Sequence, residues 1–185
     1  MQQQEELELI RRIVNGETDL YAILARRYGR VVYTLVSRIV GCAEDAEELA
    51  QDVFLKAFRN LHRFNGRSSF PTWLFRIAYN TAISSVRKKR YEFLAIEETT
   101  LENVSEEEIT NLFGQTESTE QVQRLEVALE QLLPDERALI LLFYWKEKTI
   151  EELVSITGLT ASNIKVKLHR IRKKLFVLLN EMDHE

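Results

Sequence analysis

The stretch that decides the fold of the C-terminal part of the chain is TIEELVSITGLTASNIKVKLHRIRKK, residues 149–174. Apolar residues at positions 150, 153, 154 and 156 follow a helical rather than a strand spacing. Gly158 is suited to end this helix, because glycine readily adopts the left-handed conformation that follows helices. Thr160 is placed to cap a second helix, whose apolar positions 164, 168, 171 and 175 form one stripe. The stretch therefore predicts two helices joined by a short turn.

The face of the second helix opposite this stripe is polar and basic. At about 100° per residue it carries Ser162, Val166, His169, Arg170 and Lys173. Two helices joined by a Gly-containing turn, the second with a basic outer face, are typical of a helix-turn-helix, whose second helix enters the major groove of DNA. The alternative is a plain helical hairpin with a solvated face. An outward Val166 favours DNA binding, because valine can contact a thymine methyl group.

The composition excludes several classes of protein. With 45% hydrophobic and 29% charged residues in 185, the chain is typical of a globular protein. Its longest apolar run, 138–145, is far shorter than the roughly 20 residues of a membrane span, and its polar, acidic N-terminus is unlike a secretory signal. We therefore expect a cytoplasmic protein. Cys42 is the single cysteine, so the chain cannot form an internal disulfide. The small numbers of glycines and prolines leave few turns between strands, so we expect an all-α fold.

The charge divides the chain into three parts. The net charge is +5 over residues 1–90, −9 over 91–120 and 0 over 121–185, which sums to −4. Because the middle part has no Lys or Arg, it predicts a flexible acidic linker between two small helical domains. Leu112 and Phe113 form a small apolar spot within it. Basic clusters at 87–90 and 165–174 suggest a polyanion bound at two places, although solvated helix faces are an equally good explanation of either cluster alone.

A predicted helix at 43–61 has an apolar face and an acidic face. The acidic face includes a leucine, and we call its five residues the docking ridge: Asp45, Glu48, Gln51, Asp52 and Leu55. The ridge suggests a protein-binding site with Leu55 as its apolar anchor and carboxylates that favour a basic partner. A solvated face with one exposed leucine is an equally good interpretation.

A second candidate DNA-binding surface follows. The loop 64–70 contains two phenylalanines, a glycine, an arginine and two serines, which are suited to stack and hydrogen-bond an unpaired base. The helix after it, predicted from about Pro71 to Arg90, has one polar face with Arg76, Asn80, Ser84 and Arg87. The alternative for Phe70 and Trp73 is that they are core aromatics.

Three motifs occur in order along the chain: EDAEELAQDVFLKAF (44–58), FPTWLFRIAYN (70–80), and Leu133-Pro134 followed later by GLTASNIKVKLHR (158–170). Together they resemble bacterial extracytoplasmic-function (ECF) sigma factors over nearly the whole chain. The resemblance implies a region 2 domain at 1–90, a linker at 91–120 and a region 4 domain at 121–185. Where the family often has Gly-Leu-Ser or Gly-Met-Ser before the helix-turn-helix, this chain has Glu147-Lys148-Thr149.

The resemblance also implies partners and residue roles. The docking ridge would bind the clamp coiled coil of the RNA polymerase β′ subunit, the β flap would bind the chain as well, and an anti-sigma factor would be a further partner. The residues implied to recognise and melt the −10 promoter element are Phe64, Asn65, Arg67, Ser68, Phe70, Trp73, Arg76, Asn80, Arg87 and Lys88. Those implied to contact the −35 element are Ser162, Asn163, Lys165, Val166, His169, Arg170 and Lys173.

An enzyme is the first competing class. The sequence has no Gly-rich phosphate loop, His-Glu-x-x-His motif or serine elbow, and its one Glu-x-x-His, from Glu181 to His184, has no companion. We therefore expect no catalytic residue, metal, cofactor or small-molecule substrate. The second competing class is a conventional dimeric helix-turn-helix transcriptional regulator, which would bind DNA without polymerase.

Overall fold

The computed structural model describes residues 2–88 and 119–182, and within these ranges the regular structure is entirely helical. The α-helices are α1 (Gln2–Val14), α2 (Tyr21–Val40), α3 (Ala43–Asn60), α4 (Phe70–Lys88), α5 (Thr119–Glu130), α6 (Pro134–Ile140), α7 (Ile150–Thr157) and α8 (Ala161–Met182). One turn of π-helix, Leu141–Trp145, continues α6. The all-α prediction is confirmed. The predicted linker 91–120, with Leu112 and Phe113, lies outside the described residues apart from its last two, which begin α5.

The N-terminal bundle is built on α2, α3 and α4, which pack against one another. The apolar face predicted for α3 is buried except at Phe54, which is half-buried. α2 ends at Gly41, whose φ of +75° lets the chain turn directly into α3. α1 packs across the bundle, and its buried Glu6 accepts hydrogen bonds from Tyr28 and from Arg27, the latter at 3.2 Å. Fully burying one aliphatic side chain contributes about 1.5–3 kcal/mol, so the buried side chains are a main source of the bundle's stability.

The C-terminal bundle is organised by the long helix α8, which packs against α5, α6 and α7. Its predicted stripe is buried throughout: Ile164, Leu168, Ile171 and Leu175 are each at most 4% exposed. Arg124 of α5 donates from Nη2 to the carbonyl oxygen of Leu179 at 2.8 Å. No helix in 2–88 or 119–182 is long and apolar enough to cross a membrane.

The two bundles are in direct contact with each other. α7 packs against α4, and α6 packs against both α2 and α4. A second face of α4, which includes Phe75, Tyr79 and Val86, is thereby buried in addition to the face that packs inside the N-terminal bundle. Between Phe70 and Arg87, only a polar strip of α4 is left exposed.

Candidate functional site

The helix-turn-helix predicted from the sequence is present. Thr149 caps α7: its Oγ1 accepts from the backbone N–H of Glu152 at 3.2 Å, while Glu152 Oε2 accepts from the N–H of Thr149 at 3.1 Å. The helix ends at Gly158, with φ at +76°. Thr160 caps α8, because its Oγ1 accepts from the N–H of Asn163 at 3.2 Å. These caps fix both ends of the three-residue turn, so α8 is held firmly relative to α7.

The residues around 165–174 divide between two faces of α8. Lys167 pairs with Asp135 at 3.0 Å and Lys174 with Glu136 at 2.6 Å, so these two lysines fasten α8 to α6. Of the seven residues implied for the −35 element, five are exposed and two are half-buried, and Val166 is 53% exposed. The exposed residues are Ser162, Asn163, Lys165, Val166 and Arg170, and the half-buried ones are His169 and Lys173. The basic face thus combines lysine and arginine with one exposed aliphatic side chain.

The turn before α7 carries a strained residue. Glu147 has φ at +49°, a conformation that costs a residue with a Cβ about 1 kcal/mol or more relative to glycine. This is the position at which the resemblance would place glycine. Lys148 follows it, and its side chain is 13% exposed and turned toward the N-terminal bundle.

The loop before α4 is fixed by local hydrogen bonds. Asn65 Oδ1 accepts from the backbone N–H of Arg67 at 3.2 Å, around Gly66 with φ at +73°. Ser69 Oγ accepts from the N–H of Thr72 at 3.3 Å and so caps α4, which begins at Phe70, one residue before the predicted start. A Cβ at Gly66 would lie 3.5 Å from Leu7 Cδ2 of α1, so the loop lies against α1. It is therefore preorganised.

The aromatic side chains of this region form one cluster. The ring of Phe70 lies 5.6–5.8 Å from those of Tyr28, Phe64 and Trp73, and Phe64 and Trp73 are 5.5 Å apart. Phe70 is only 2% exposed, so the expectation that it contacts DNA directly is corrected: a base cannot reach its ring without unpacking the core. Phe64 and Trp73 are half-buried, so part of each side chain stays accessible.

The polar face of α4 is exposed as predicted. Arg76, Asn80, Ser84 and Arg87 are all exposed, and Asn65 and Arg67 of the loop are exposed beside half-buried Ser68. The side chain of Lys88 and all of residues 89 and 90 lie outside the described residues. The loop, the accessible parts of Phe64 and Trp73 and this strip together are called the −10 surface below.

The docking ridge borders an apolar groove between α2 and α3. Leu55 is 54% exposed, Glu48 and Gln51 are exposed, and Asp45 and Asp52 are half-buried. The groove has a volume of about 960 Å³, and its lining residues are Thr18, Asp19, Tyr21, Ala22, Ala25, Gly29, Tyr33, Glu47, Ala50, Gln51, Phe54, Leu55 and Phe58.

One wall of this groove is held rigidly. Tyr21 donates to the Phe54 carbonyl oxygen at 2.7 Å, and its ring lies 4.9 Å from that of Phe58. Burial raises the pKa of Tyr21 to about 12, so this phenol stays a donor at neutral pH. The sequence patterns described above do not predict the groove. Its signal is the run of small residues, including Ala22, Ala25 and Gly29, along one face of α2.

The geometry defines a class of protein. A helix-turn-helix with a basic outer face is combined with a second bundle that offers a preorganised aromatic loop and a basic strip. Both are surfaces suited to nucleic acid, one to duplex in the major groove and the other to an unpaired strand. These features are typical of an all-α DNA-binding protein, and the chain also has an apolar groove bordered by acidic residues.

Comparisons with known proteins identify the family. The model of Sigma-70 region 2 matches residues 24–91, and that of Sigma-70, region 4 matches residues 122–175. The ECF RNA polymerase sigma-E factor of Escherichia coli is 31% identical over 173 residues, which cover 90% of each chain. The ECF RNA polymerase sigma factor SigW of Bacillus subtilis is 29% identical over 184 residues, which cover 94% of this chain and 96% of the relative.

Solved structures show the same fold. CnrH, in complex with the cytosolic domain of CnrY, has a TM-score of 0.67 at 22% identity over 94% of this chain and 96% of that one. The sigma factor RpoE of Bartonella quintana, in complex with the anti-sigma factor NepR, has a TM-score of 0.65 at 24% identity over 86% of this chain and 96% of that one.

The chain belongs to the ECF family of RNA polymerase sigma factors. It is an alternative sigma factor, which binds core RNA polymerase and directs it to promoter DNA. The comparisons give no support to the competing prediction of a dimeric regulator.

Proposed function

We propose that three surfaces of the chain divide the work of transcription initiation. The docking ridge binds the β′ clamp coiled coil, the −10 surface captures an unpaired base and helps to melt the −10 element, and the outer face of α8 contacts the −35 element as duplex. The observation that carries this division is the contrast between the two DNA-facing surfaces. The −10 surface combines a fixed loop with the accessible parts of two aromatic rings, whereas the surface for the −35 element is a single regular helix.

The −10 surface is suited to a single strand. Its loop keeps its shape through the turn at Asn65 and the cap at Ser69, so little conformational entropy is lost when a base binds. The accessible parts of the Phe64 and Trp73 rings offer aromatic surface for stacking, and the exposed amide of Asn80 can hydrogen-bond a base edge. Buried Phe70 supports this surface from below without touching DNA.

The outer face of α8 is suited to duplex. Lysine and arginine there can bind phosphates or guanine, and the exposed methyl groups of Val166 offer an apolar contact to thymine. Lys167 and Lys174 are already paired with carboxylates of α6, so we assign them to the fold rather than to DNA.

The docking ridge is suited to a basic, partly apolar partner. Leu55 and the groove provide the apolar anchor, and Glu48 with Asp45 provides the negative charge. Two further partners are proposed. The C-terminal bundle binds the β flap of the polymerase. The chain also binds an anti-sigma factor, because CnrH and RpoE were solved in complex with CnrY and NepR.

We place this action in the cytoplasm and assign the chain no catalytic step of its own.

The division of labour is tested with Asn80→Ala and Arg170→Ala. Each should lose about 1–3 kcal/mol, or about 5- to 140-fold, but at different steps. Asn80→Ala should bind duplex promoter in the closed complex almost normally and fail in strand opening, so a template with a pre-melted −10 bubble should restore its activity. Arg170→Ala should weaken the closed complex, and the bubble should restore it much less.

Permanganate footprinting of unpaired thymines and filter binding on linear and pre-melted templates separate these steps. Arg11→Ala is the control, because this arginine is 75% exposed on α1 and belongs to none of the three surfaces. If both variants lose binding alike and neither responds to the bubble, the melting role of the −10 surface is wrong.

A further inference from the structure

A buried carboxylate of α1 has no part in the roles proposed above. Glu6 is 6% exposed, and its Oε1 accepts a hydrogen bond from the hydroxyl of Tyr28 and a second one from Arg27 Nη1 at 3.2 Å. Burying a carboxylate is costly unless it is both paired with a cation and hydrogen-bonded, and both conditions are met here. The side chain of Arg27 is 45% exposed, so its charge is also solvated. We call Glu6 and Tyr28 the α1 anchor.

The hydroxyl of Tyr28 is a permanent donor to this carboxylate. Burial of the phenol and its hydrogen bond to Glu6 raise the pKa of Tyr28 above its usual value, so the hydroxyl keeps its proton at neutral pH. A hydrogen bond has a preferred direction, whereas the burial of apolar surface does not. The α1 anchor therefore fixes the tilt of the Tyr28 ring as well as its depth in the bundle.

The ring of Tyr28 is in turn packed beneath the −10 surface. Its centroid lies 5.6 Å from that of Phe70, which is 2% exposed. The Phe70 ring lies 5.7 Å from that of Phe64 and 5.8 Å from that of Trp73. Aromatic rings at such distances prefer tilted or edge-to-face arrangements, so a change in the tilt of one ring shifts the next. Tyr28 and Phe70 thus connect α1 to the two rings that we assign to base stacking.

The next residue of α1 supports the loop of the −10 surface. A Cβ at Gly66 would lie 3.5 Å from Leu7 Cδ2, at the point where the loop turns with φ at +73°. α1 also packs against the short 3₁₀ turn Leu61–Arg63, which leads directly into the loop. Because Glu6 and Leu7 are consecutive, one turn of α1 contacts both the aromatic rings, through Tyr28, and the loop.

We propose that Glu6 and Tyr28 are positioning residues for the melting of the −10 element, through which α1 orients the rings and the loop that capture an unpaired base. Glu6 is buried and Tyr28 acts through Phe70, so neither residue needs to touch DNA. Loss of the α1 anchor leaves the bundle folded but lets the rings and the loop move, so a base is captured less often. This inference rests on the proposed role of the −10 surface.

The first measurement reports the order of the aromatic rings in the free, full-length chain. Trp145 is replaced by Phe, so that Trp73 is the only remaining tryptophan. The amplitude of the fast decay of its fluorescence anisotropy then measures how freely the indole moves. Tyr28→Phe removes only the hydroxyl, and it should raise this amplitude about two- to threefold, as expected for a change from rigid to flexible order.

Ile13→Val is the matched control for the packing of α1. Ile13 is 3% exposed on the same helix and lies about 10 Å along it from Glu6. This variant should lower the melting temperature, because it removes a buried methyl group, but it should leave the anisotropy of Trp73 unchanged. Circular dichroism shows that each variant is folded before its anisotropy is compared.

Two changes at Glu6 separate positioning from stability. Glu6→Gln keeps an acceptor for the Tyr28 hydroxyl, so it should retain most of the order of Trp73. The double variant Glu6→Leu/Tyr28→Phe replaces both polar groups by apolar ones, which leaves no buried polar group of the pair without a partner. Its melting temperature should therefore recover from that of Tyr28→Phe, whereas Trp73 should stay mobile. A purely structural role of the pair would restore both properties together.

The second measurement follows promoter opening by core polymerase with the full-length chain. The rate at which thymines of the −10 element become reactive to permanganate should fall about tenfold in Tyr28→Phe, because a hydrogen bond to a charged group corresponds to about that change in an equilibrium. Binding in the closed complex should be unchanged, and a pre-melted −10 bubble should restore activity. Ile13→Val should open the promoter at the rate of the unmodified chain.

Three results would overturn the inference. The indole of Trp73 moves no more in Tyr28→Phe than in Ile13→Val, the double variant regains order together with stability, or Tyr28→Phe opens the promoter normally while Asn80→Ala is slow. Failure of the proposed function would look different. In that case Asn80→Ala and Tyr28→Phe would both open the promoter normally, although Trp73 is more mobile in Tyr28→Phe.

Discussion

Leu55 gives the sharpest test of the docking ridge. Its side chain is 54% exposed in the free chain, so about half of its surface remains to be buried by a partner. Complete burial of a leucine contributes about 1.5–3 kcal/mol, so burying the remaining half contributes about 1–1.5 kcal/mol. Leu55→Ala should therefore weaken binding to core polymerase about 5- to 10-fold. Leu55→Asp also places a carboxylate at an apolar contact, so the total loss should reach about 2 kcal/mol, or about 30-fold.

The assay is competition of each variant against a fluorescently labelled chain for core polymerase, at one fixed salt concentration. Val14→Asp is the matched control, because Val14 is 47% exposed on α1 and lies outside the ridge and its groove. It should bind as the unmodified chain does. If Leu55→Asp is folded by circular dichroism and binds within twofold of Val14→Asp, Leu55 is not an anchor and the assignment of the ridge is refuted.

Three further predictions concern stability. Glu147→Gly should raise the melting temperature by about 2–4 °C, because it relieves a φ of +49°, and an unchanged or lower value in calorimetry would contradict the assigned strain. Phe70→Ala should lower the free energy of unfolding by about 3–5 kcal/mol in urea titration, whereas a loss below about 1 kcal/mol would show that its ring is not a core element. Burial raises the pKa of Glu152, but hydrogen bonds from Lys148, Thr72 and the Thr149 N–H outweigh it and leave this pKa below its usual value of 4.5. The stability that the ionised Glu152 carboxylate supplies is thus present above pH 4.5 and lost as the pH falls through the lowered pKa. The difference in melting temperature between the unmodified chain and Glu152→Gln should therefore shrink in acid.

The elements that the sequence predicts well are those whose signals are local. The buried stripe of α8 follows from the helical spacing of its apolar residues, such as Ile164 and Leu168. The end of α7 follows from Gly158, and the start of α8 follows from Thr160. Each of these depends on neighbours within a few positions along the chain. The exposed face of α4, with Arg76 and Asn80, was predictable for the same reason.

The contact between the two bundles could not be predicted in this way. Thr72, Lys148 and Glu152 are ordinary residues for a solvated helix surface, and the partners are separated by up to 80 positions in the sequence. Their burial depends on how whole helices pack, which a charge or hydropathy pattern does not encode.

Phe70 shows the same limit within a single site. Its place beside a polar loop is equally compatible with contact to a base and with burial, and the sequence left both open. The tertiary position of Tyr28 on α2 decides between them, because its ring helps to enclose that of Phe70.

We propose that the chain gives core RNA polymerase its promoter choice through these surfaces. The most direct measurement is in vitro transcription of genomic DNA by core polymerase with and without the purified chain, with mapping of all start sites. We expect a defined set of new start sites that requires both components, each preceded by shared −10 and −35 sequences. Identical start sites with and without the chain, or specific protection of DNA by the chain when polymerase is omitted, would contradict it.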